Sequence, residues 1–457
     1  MRKFTSFNAL PKLSLVLSLA LITGFVQNSA AQEVITIQDA IDKTLNNNLT
    51  IKQSQYSESL SDENLKQSKL ALVPTLSGSI SSGISFGRSQ DQNTYKIITQ
   101  KLLTSSGSLS SGVTIFEGWS KINQIKQNKL LLDAGKANTD KVKNDLILQV
   151  VTSYLQILYN IDLLKAANVQ LGVAKQQLNR EQQLLDVGNK TLADLSQAKS
   201  QLATAELNVT NADNALTISY LTLAQLMDVP SSTKYEVQAP LLESFSAPKT
   251  RYNPDEVYAD AIGLYPDIKL AALRTEAAKK GVDVAKGALY PRLGFSAGLG
   301  SSYSYIFGYN DANIPQRTFS EQINDRFGQN IGLSLSIPIF NGLQARSGVR
   351  KAKISLLQTQ TDEQLAKNNL NKVIYQAVAD LKAAESRYRS TTNTFQAQKD
   401  AFNVIEQRYA VGLVNSLDYS TSQSNMNKAE VDMIQAKYDL LFRAKVIDYY
   451  LGKQIIF

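Results

Sequence analysis

The chain has 457 residues, of which 43% are hydrophobic and 19% are charged, and its formal net charge is +8. This composition indicates a folded protein and excludes a disordered chain. The sequence contains no Cys and no His, which excludes disulfides, thiol nucleophiles, imidazole bases and the usual zinc ligands. We therefore predict that the protein is not an enzyme and has no catalytic, cofactor or metal site.

The first predicted segment is a signal peptide at residues 1–31. Three cations precede an apolar run at 13–26, and small residues suited to cleavage follow it. A membrane anchor is the alternative, but the run is shorter than the roughly 20 residues that span a bilayer. Cleavage would lower the net charge from +8 to +5, and the remaining Lys and Arg are scattered among acids. The segment predicts an exported protein that binds no nucleic acid.

The first structural repeat is predicted at residues 32–227 and begins with a helix that ends before Pro74. Two strands follow, at about 76–86 and 108–116, in which Leu and Ile alternate with Ser and Gly. We expect a long polar loop at 87–107 between them.

The repeat continues with a long helix at about 119–186, which contains no Pro, and a returning helix at about 190–227. Gly188 lies between the two helices and suits a left-handed helix end, and Asp194 lies in the first turn of the returning helix. Apolar residues recur every seven positions in the long helix, which predicts a coiled coil. These positions are Val150, Ile157, Leu164, Leu171, Leu178 and Leu185.

The second repeat is predicted at 255–457, after a Pro- and Ser-rich connector at 228–254. The phrase VGNKTLADLSQAKSQLATAE at 187–206 returns as VGLVNSLDYSTSQSNMNKAE at 411–430, which places Gly412 and Asp418 opposite Gly188 and Asp194. The predicted elements are a helix, strands at about 293–305 and 330–340 joined by a long polar loop at 306–329, a long helix at about 343–410 and a helix at about 414–451. Its heptad positions are Ile374, Leu381, Tyr388, Phe395, Phe402 and Tyr409.

The strands have one apolar face and one Ser/Gly face, which fits the wall of a transmembrane β-barrel. A soluble sandwich has the same period but buries larger side chains. Four strands cannot close a barrel, and an open edge in lipid leaves backbone groups without hydrogen bonds. Because a channel needs more than eight strands, two or more copies must share one barrel.

The chain resembles the TolC-like outer membrane efflux proteins in the order and spacing of these motifs. The resemblance covers nearly the whole chain after residue 31 and depends on ALVPTL and ALYPRL before the strands, PIFNG after them, and the paired VG and Asp phrases. It implies a mainly α-helical protein with a transmembrane β-barrel: a homotrimer with a 12-stranded barrel and a long coiled-coil periplasmic tunnel. It also implies a Gram-negative outer membrane, a periplasmic adaptor protein and an inner-membrane pump as partners, and a passive exit duct for efflux or type I secretion.

The resemblance also implies candidate site residues at the helix tips. Asp194 and Tyr409 match a polar network that closes the aperture of the tunnel, and Asp418 matches an acidic ring there. A purely structural role stays open for all three, because both aspartates lie at helix starts and Tyr409 is a heptad residue. The residues expected to contact the adaptor are Val187, Gly188, Val411 and Gly412.

Two other classes of function explain less of the sequence than the channel does. A secreted or surface-attached coiled-coil protein, such as an adhesin, accounts for the heptads but not for the two-faced strands. GNKT at 188–191 resembles the end of a phosphate-binding loop, but it lacks the upstream Gly spacing and a preceding strand. The channel is the interpretation that explains both helices and strands.

Overall fold

The computed structural model describes residues 33–90, 97–230, 235–239, 252–308 and 316–453. The predicted signal peptide lies outside these residues, as does most of the connector. In the described residues the strands are β1 (Glu33–Ile35), β2 (Thr75–Gln90), β3 (Ile97–Glu117), β4 (Tyr235–Val237), β5 (Arg292–Phe307) and β6 (Gly328–Ser336). The helices are α1 (Ile37–Asn47), α2 (Leu49–Leu70), α3 (Ser120–Asp186), α4 (Leu192–Met227), α5 (Pro254–Leu264), α6 (Pro266–Gly287), α7 (Phe319–Asp325), α8 (Gln344–Ala410) and α9 (Ser416–Tyr450).

The chain forms two compact units that cut across the sequence repeats. The described residues of the first are 33–43, 150–230 and 235–239. Here β1 and β4 pair in parallel, and the buried Tyr154 of α3 donates its hydroxyl to the carbonyl oxygens of Ile35 (3.1 Å) and Gln238 (2.8 Å). Burial raises the pKa of Tyr154, so the hydroxyl stays a neutral donor. The connector therefore carries a strand, which is too short to show a periodic pattern.

The second unit, residues 44–149 and 246–455, contains an antiparallel sheet with the strand order β2-β3-β5-β6. Three predicted strand ends of this sheet are wrong. β2 continues past residue 86 to Gln90. β3 begins at Ile97, so part of the predicted loop 87–107 is strand; Gln100 and Lys101 interrupt the alternation that would have revealed it. β6 ends at Ser336 and not at 340, because Pro338 has no N–H for a ladder bond.

The predicted loop 306–329 also contains more structure than expected. β6 pairs with β5 only as far as Gly300, and beyond that point two glutamine side chains replace the missing strand. The Gln322 amide bonds the backbone N–H and C=O of Ser304, both at 3.0 Å, and the Gln316 amide bonds those of Ile306 at 2.8 and 2.7 Å. Helix α7 holds Gln322 in place, so this edge of β5 is hydrogen-bonded without a neighbouring strand.

The described residues form two helical hairpins, α3–α4 and α8–α9; residues 150–186 of α3 belong to the first unit with α4, and residues 120–149 to the second. The predicted heptad residues form the core of each hairpin. In the part of the chain that the structure describes, those buried within the protomer are Val150, Ile157, Ile374, Leu381, Phe402 and Tyr409. The other six are half-buried.

The two hairpins differ in charge at matched positions. Between α8 and α9, Arg443 bonds Asp380 (2.8 Å) and Asp439 (3.1 Å), and Arg387 also bonds Asp439 (2.9 Å). The matched residues in α3 and α4 are Gln156, Leu163, Ala215 and Ser219. The first hairpin has a cavity of about 320 Å³ here, lined by Gln156, Asn160 and Ser219 among others. The small residues leave open the space that the second hairpin fills with an ion-pair network.

The turn from strand to long helix has the same left-handed backbone conformation in both repeats. Gly118 and Trp119 have φ values of 54° and 62°, and Gly342 and Leu343 have values of 61° and 63°. Their surroundings differ. A Cβ on Gly118 would lie 2.5 Å from the carbonyl oxygen of Gly287 and 2.8 Å from the Cβ of Tyr290, whereas no described atom lies within 4 Å of one on Gly342.

We predict that Gly118→Ala destabilises the protein more than Gly342→Ala. Both variants place a Cβ at positive φ, which costs about 1–2 kcal/mol, but only Gly118→Ala also pushes α6 away from the turn. Thermal unfolding of the detergent-purified protein measures the difference. Equal melting temperatures for the two variants would show that the close approach at Gly118 does not matter.

Candidate channel wall and helix tips

The sheet has a polar face of Ser, Thr and Gly. Ser77, Ser79 and Ser81 of β2 lie opposite Ser110, Ser108 and Ser106 of β3. The paired hydroxyl oxygens are 2.8–2.9 Å apart. Ser302 and Ser304 of β5 and Ser334 and Asn330 of β6 continue this polar face. Hydroxyls that bond each other across strands also remain available to water, which suits an aqueous wall.

Charged residues contact the polar face near its two ends. Among the described strand residues on that face, the charged ones are Glu117 and Arg292, which lie opposite each other beside the long helices. Arg292 donates to the Thr114 hydroxyl at 3.2 Å, and its distance to Glu117 is 3.9 Å. At the other end of the sheet, Arg326, which follows α7, donates to the hydroxyl of Ser304 at 2.9 Å, so a cation contacts the polar face there as well.

The opposite face, called here the apolar face, is formed by Leu76, Ile80, Ile84, Phe86, Leu103, Leu109, Phe295, Leu299, Ile331, Leu333 and Leu335. Ile80 is 92% exposed and Ile331 is 79% exposed in the protomer. A contiguous exposed apolar surface marks contact with lipid or a partner. A bulge between Thr114 and Phe116 removes Ile115 from the alternation predicted for it.

The tip of the first hairpin is a glycine-capped helix end followed at once by a capped helix start. Gly188 has φ 78°; its N–H bonds the Leu185 carbonyl (2.9 Å), and the next N–H bonds the Leu184 carbonyl (2.8 Å), a Schellman motif. Asp194 accepts from the backbone N–H (3.1 Å) and the hydroxyl (2.7 Å) of Thr191. The Asp194 carboxylate therefore caps α4. Val187 is exposed beside the glycine.

The tip of the second hairpin repeats this geometry. Gly412 has φ 79°, and the same two backbone hydrogen bonds close the end of α8 at 3.1 and 2.9 Å. Asn415 takes the place of Thr191 and accepts from the backbone N–H of Asp418 at 2.8 Å. The Asp418 side chain is exposed, as is Val411, so these two are accessible to a partner or to ions.

Tyr409 is buried in an aromatic cluster inside the second tip. Its ring stacks on Tyr419 with centroids 4.7 Å apart, and Tyr419 contacts Phe402 at 5.4 Å. Sequence reasoning identified these residues as separate core positions but missed the ring contact between α8 and α9. The signal for it was the change from Leu to aromatic residues at matched heptad places of the second repeat.

We predict that Gly412→Val destabilises the tip and that Gly412→Asn does so much less. No described atom lies within 4 Å of a Cβ at this position, so the cost is that of the backbone alone. Asn tolerates the left-handed conformation, and β-branched Val does not. Hydrogen exchange at the end of α8 measures the effect. Equal exchange in the two variants would contradict the assigned role of the glycine.

The chain matches a known protein family in two ranges, which correspond to the two repeats. Residues 40–228 and 257–453 match the family of outer membrane efflux proteins. The outer membrane efflux protein BepC of Brucella suis biovar 1 is 23% identical over 96% of this chain and 90% of its own length. The outer membrane protein TolC of Vibrio cholerae is 22% identical over 83% of this chain and 82% of its own length.

The fold is also similar to that of solved outer membrane channels. The Campylobacter jejuni CmeC channel superposes with a TM-score of 0.75 at 18% identity, covering 91% of this chain and 85% of that one. The alternative of an adhesin without a pore finds no support in these comparisons. The chain belongs to the outer membrane efflux protein family, and it is an export channel of the Gram-negative outer membrane.

Proposed function

We propose that three copies of the chain form one 12-stranded barrel and one helical tunnel, through which exported solutes pass without covalent chemistry. The observation that carries this proposal is the open sheet, in which β2 and β6 are edge strands within the described residues. The apolar face suits lipid and the polar face suits water. An open sheet in lipid leaves each unpaired backbone group short of a hydrogen bond at a cost of several kcal/mol. Pairing β6 of one copy with β2 of the next removes both edges.

The internal duplication predicts the register of that closing pair. Thr75 of β2 corresponds to Arg292 of β5, and the partners of these residues, Gly112 and Ser336, also correspond. Within the chain, β3 pairs with β5 so that Ser110 lies opposite Gly298. The corresponding residues in β6 and β2 are Ser334 and Ser81. Under quasi-sixfold symmetry, Ser334 of one copy therefore lies opposite Ser81 of the next.

We predict that the double variant Ser81→Cys/Ser334→Cys forms disulfide-linked trimers on oxidation. Directly opposed residues have Cβ atoms about 4.5–5.5 Å apart, close to disulfide geometry. The natural chain has no Cys, so every disulfide that forms must join two of the introduced cysteines. Non-reducing electrophoresis after oxidation in isolated outer membranes gives the readout.

The matched control is Ser85→Cys/Ser334→Cys, in which the first cysteine moves four residues, about 13 Å, along the same face of β2. This pair should not cross-link. Efficient linkage of the control with none of the predicted pair would overturn the register. Absence of any species larger than a monomer, together with a monomeric mass in detergent, would overturn the shared barrel.

The helix tips are the proposed contact for a periplasmic adaptor protein that connects the duct to an inner-membrane pump. The support is that both tips have the same backbone motif and present exposed apolar residues. In the first tip these are Val187 and Leu192; in the second they are Val411, Leu413 and Leu417. An adaptor with repeated binding segments can therefore make similar contacts with both hairpins.

We also propose that Asp194 and Tyr409 hold the inner aperture closed. We predict that Asp194→Ala/Tyr409→Ala raises the single-channel conductance of the purified protein in a planar bilayer. Because Asp194 also caps α4, its loss costs about 1 kcal/mol of helix stability. Thr191→Ala is the matched control, since it removes the Thr191 hydroxyl from the same cap and keeps the Asp194 carboxylate, the Tyr409 hydroxyl and the stacked ring. Equal conductance of the double variant and this control would assign Asp194 and Tyr409 a structural role alone.

A further inference from the structure

The sheet end farthest from the long helices α3 and α8 carries a lysine held between two aromatic rings. Lys101 of β3 lies opposite Phe86 of β2 and Phe307 of β5. Its Nζ atom is 5.2 Å from the centroid of Phe86 and 4.5 Å from that of Phe307. The ring of Tyr305 contacts Phe307 edge-on, with centroids 5.2 Å apart. Cation–π contacts on both sides hold this ammonium group on the apolar face.

Arg88 adds a second cation beside Lys101. Arg88 lies opposite Thr99, one same-face step beyond the pair formed by Phe86 and Lys101, so the two cations are diagonal neighbours about 7–8 Å apart at Cβ. Among the described strand residues of the apolar face, Arg88 and Lys101 are the only ones with a charge. The rest of that face consists of apolar, aromatic and small polar residues.

The height of this pair coincides with a membrane surface. From Leu76 to Phe86 the strand advances about 34 Å, which at a tilt of about 40° spans roughly 26 Å along the membrane normal. This equals the height of the apolar band of an outer membrane barrel, about 25 Å. Because α2 and α3 join the sheet at its opposite end, Lys101 and Arg88 lie at the outer surface of the membrane.

We propose that Lys101 and Arg88 bind the phosphate groups of a phosphorylated glycolipid in the outer leaflet, with Phe86, Tyr305 and Phe307 against its sugar and upper acyl region. A lysine supplies a compact positive charge, and an arginine supplies a planar fork of donors that matches phosphate. Two such cations on a face whose other described strand residues are uncharged give a local site rather than a diffuse field. The inference rests on the outer-membrane barrel of the proposed function.

The test uses the full chain purified in a neutral detergent with EDTA, so that divalent cations cannot bridge anions. Native mass spectrometry compares the occupancy of bis-phosphorylated lipid A, monophosphoryl lipid A, phosphatidylglycerol and phosphatidylcholine. We expect occupancy to rise with the number of phosphates on lipid A and to exceed that of both phospholipids. Because each cation near a surface contributes a several-fold preference, Lys101→Gln/Arg88→Gln should lower lipid A affinity about 20-fold.

The control Lys382→Gln/Arg389→Gln removes the same two charges from exposed positions of α8, far along the helix from the sheet, and should leave lipid A affinity unchanged. Equal losses in the two double variants, or no preference for the phosphorylated glycolipid in the natural chain, would overturn the site. The same spectra report the oligomer. A trimer without lipid preference refutes the lipid site alone, and a monomer refutes the shared barrel.

Discussion

Every strand in a lipid bilayer must have its backbone hydrogen bonds made within the protein, and this constraint governs the structure. The four-stranded sheet meets it in three ways. Its inner pairs form regular antiparallel ladders. Where β6 is too short, the amides of Gln316 and Gln322 bond the edge of β5. The outer edges of β2 and β6 require another copy of the chain, so the protomer is incomplete as a membrane protein.

The duplication preserved backbone geometry more strictly than side-chain chemistry. Gly188 and Gly412 have nearly the same φ and close the same pair of hydrogen bonds, because a helix must end there in both repeats. Elsewhere the copies diverged. An ion-pair network around Arg443 occupies the space between α8 and α9, and the matched place between α3 and α4 is an open cavity lined by uncharged residues. The two hairpins thus have the same backbone course and differ in the side chains packed between their helices.

Local contacts fix both residues that are proposed to close the aperture. The Asp194 carboxylate accepts hydrogen bonds from the backbone N–H and the hydroxyl of Thr191 at the start of α4. A helix start with a capping box requires this role. Tyr409 is fixed by its stack with Tyr419. Side chains held in this way are pre-oriented, so a further contact made by either one would lose little additional entropy.

The sequence by itself determined the repeats, the heptad cores, the glycine-ended tips and the two-faced strands, because each follows from local periodicity or from a backbone conformation that few residues adopt. It could not locate the start of β3, the amide groups that bond β5, or the contacts of Lys101 with Phe86 and Phe307, since these depend on residues from distant parts of the chain that meet only in the folded protein. The aromatic contact of Tyr409 with Tyr419 likewise needed the packing of α8 on α9. The tertiary structure decided these features because hydrogen bonds and ring contacts between distant segments leave no period in a single chain.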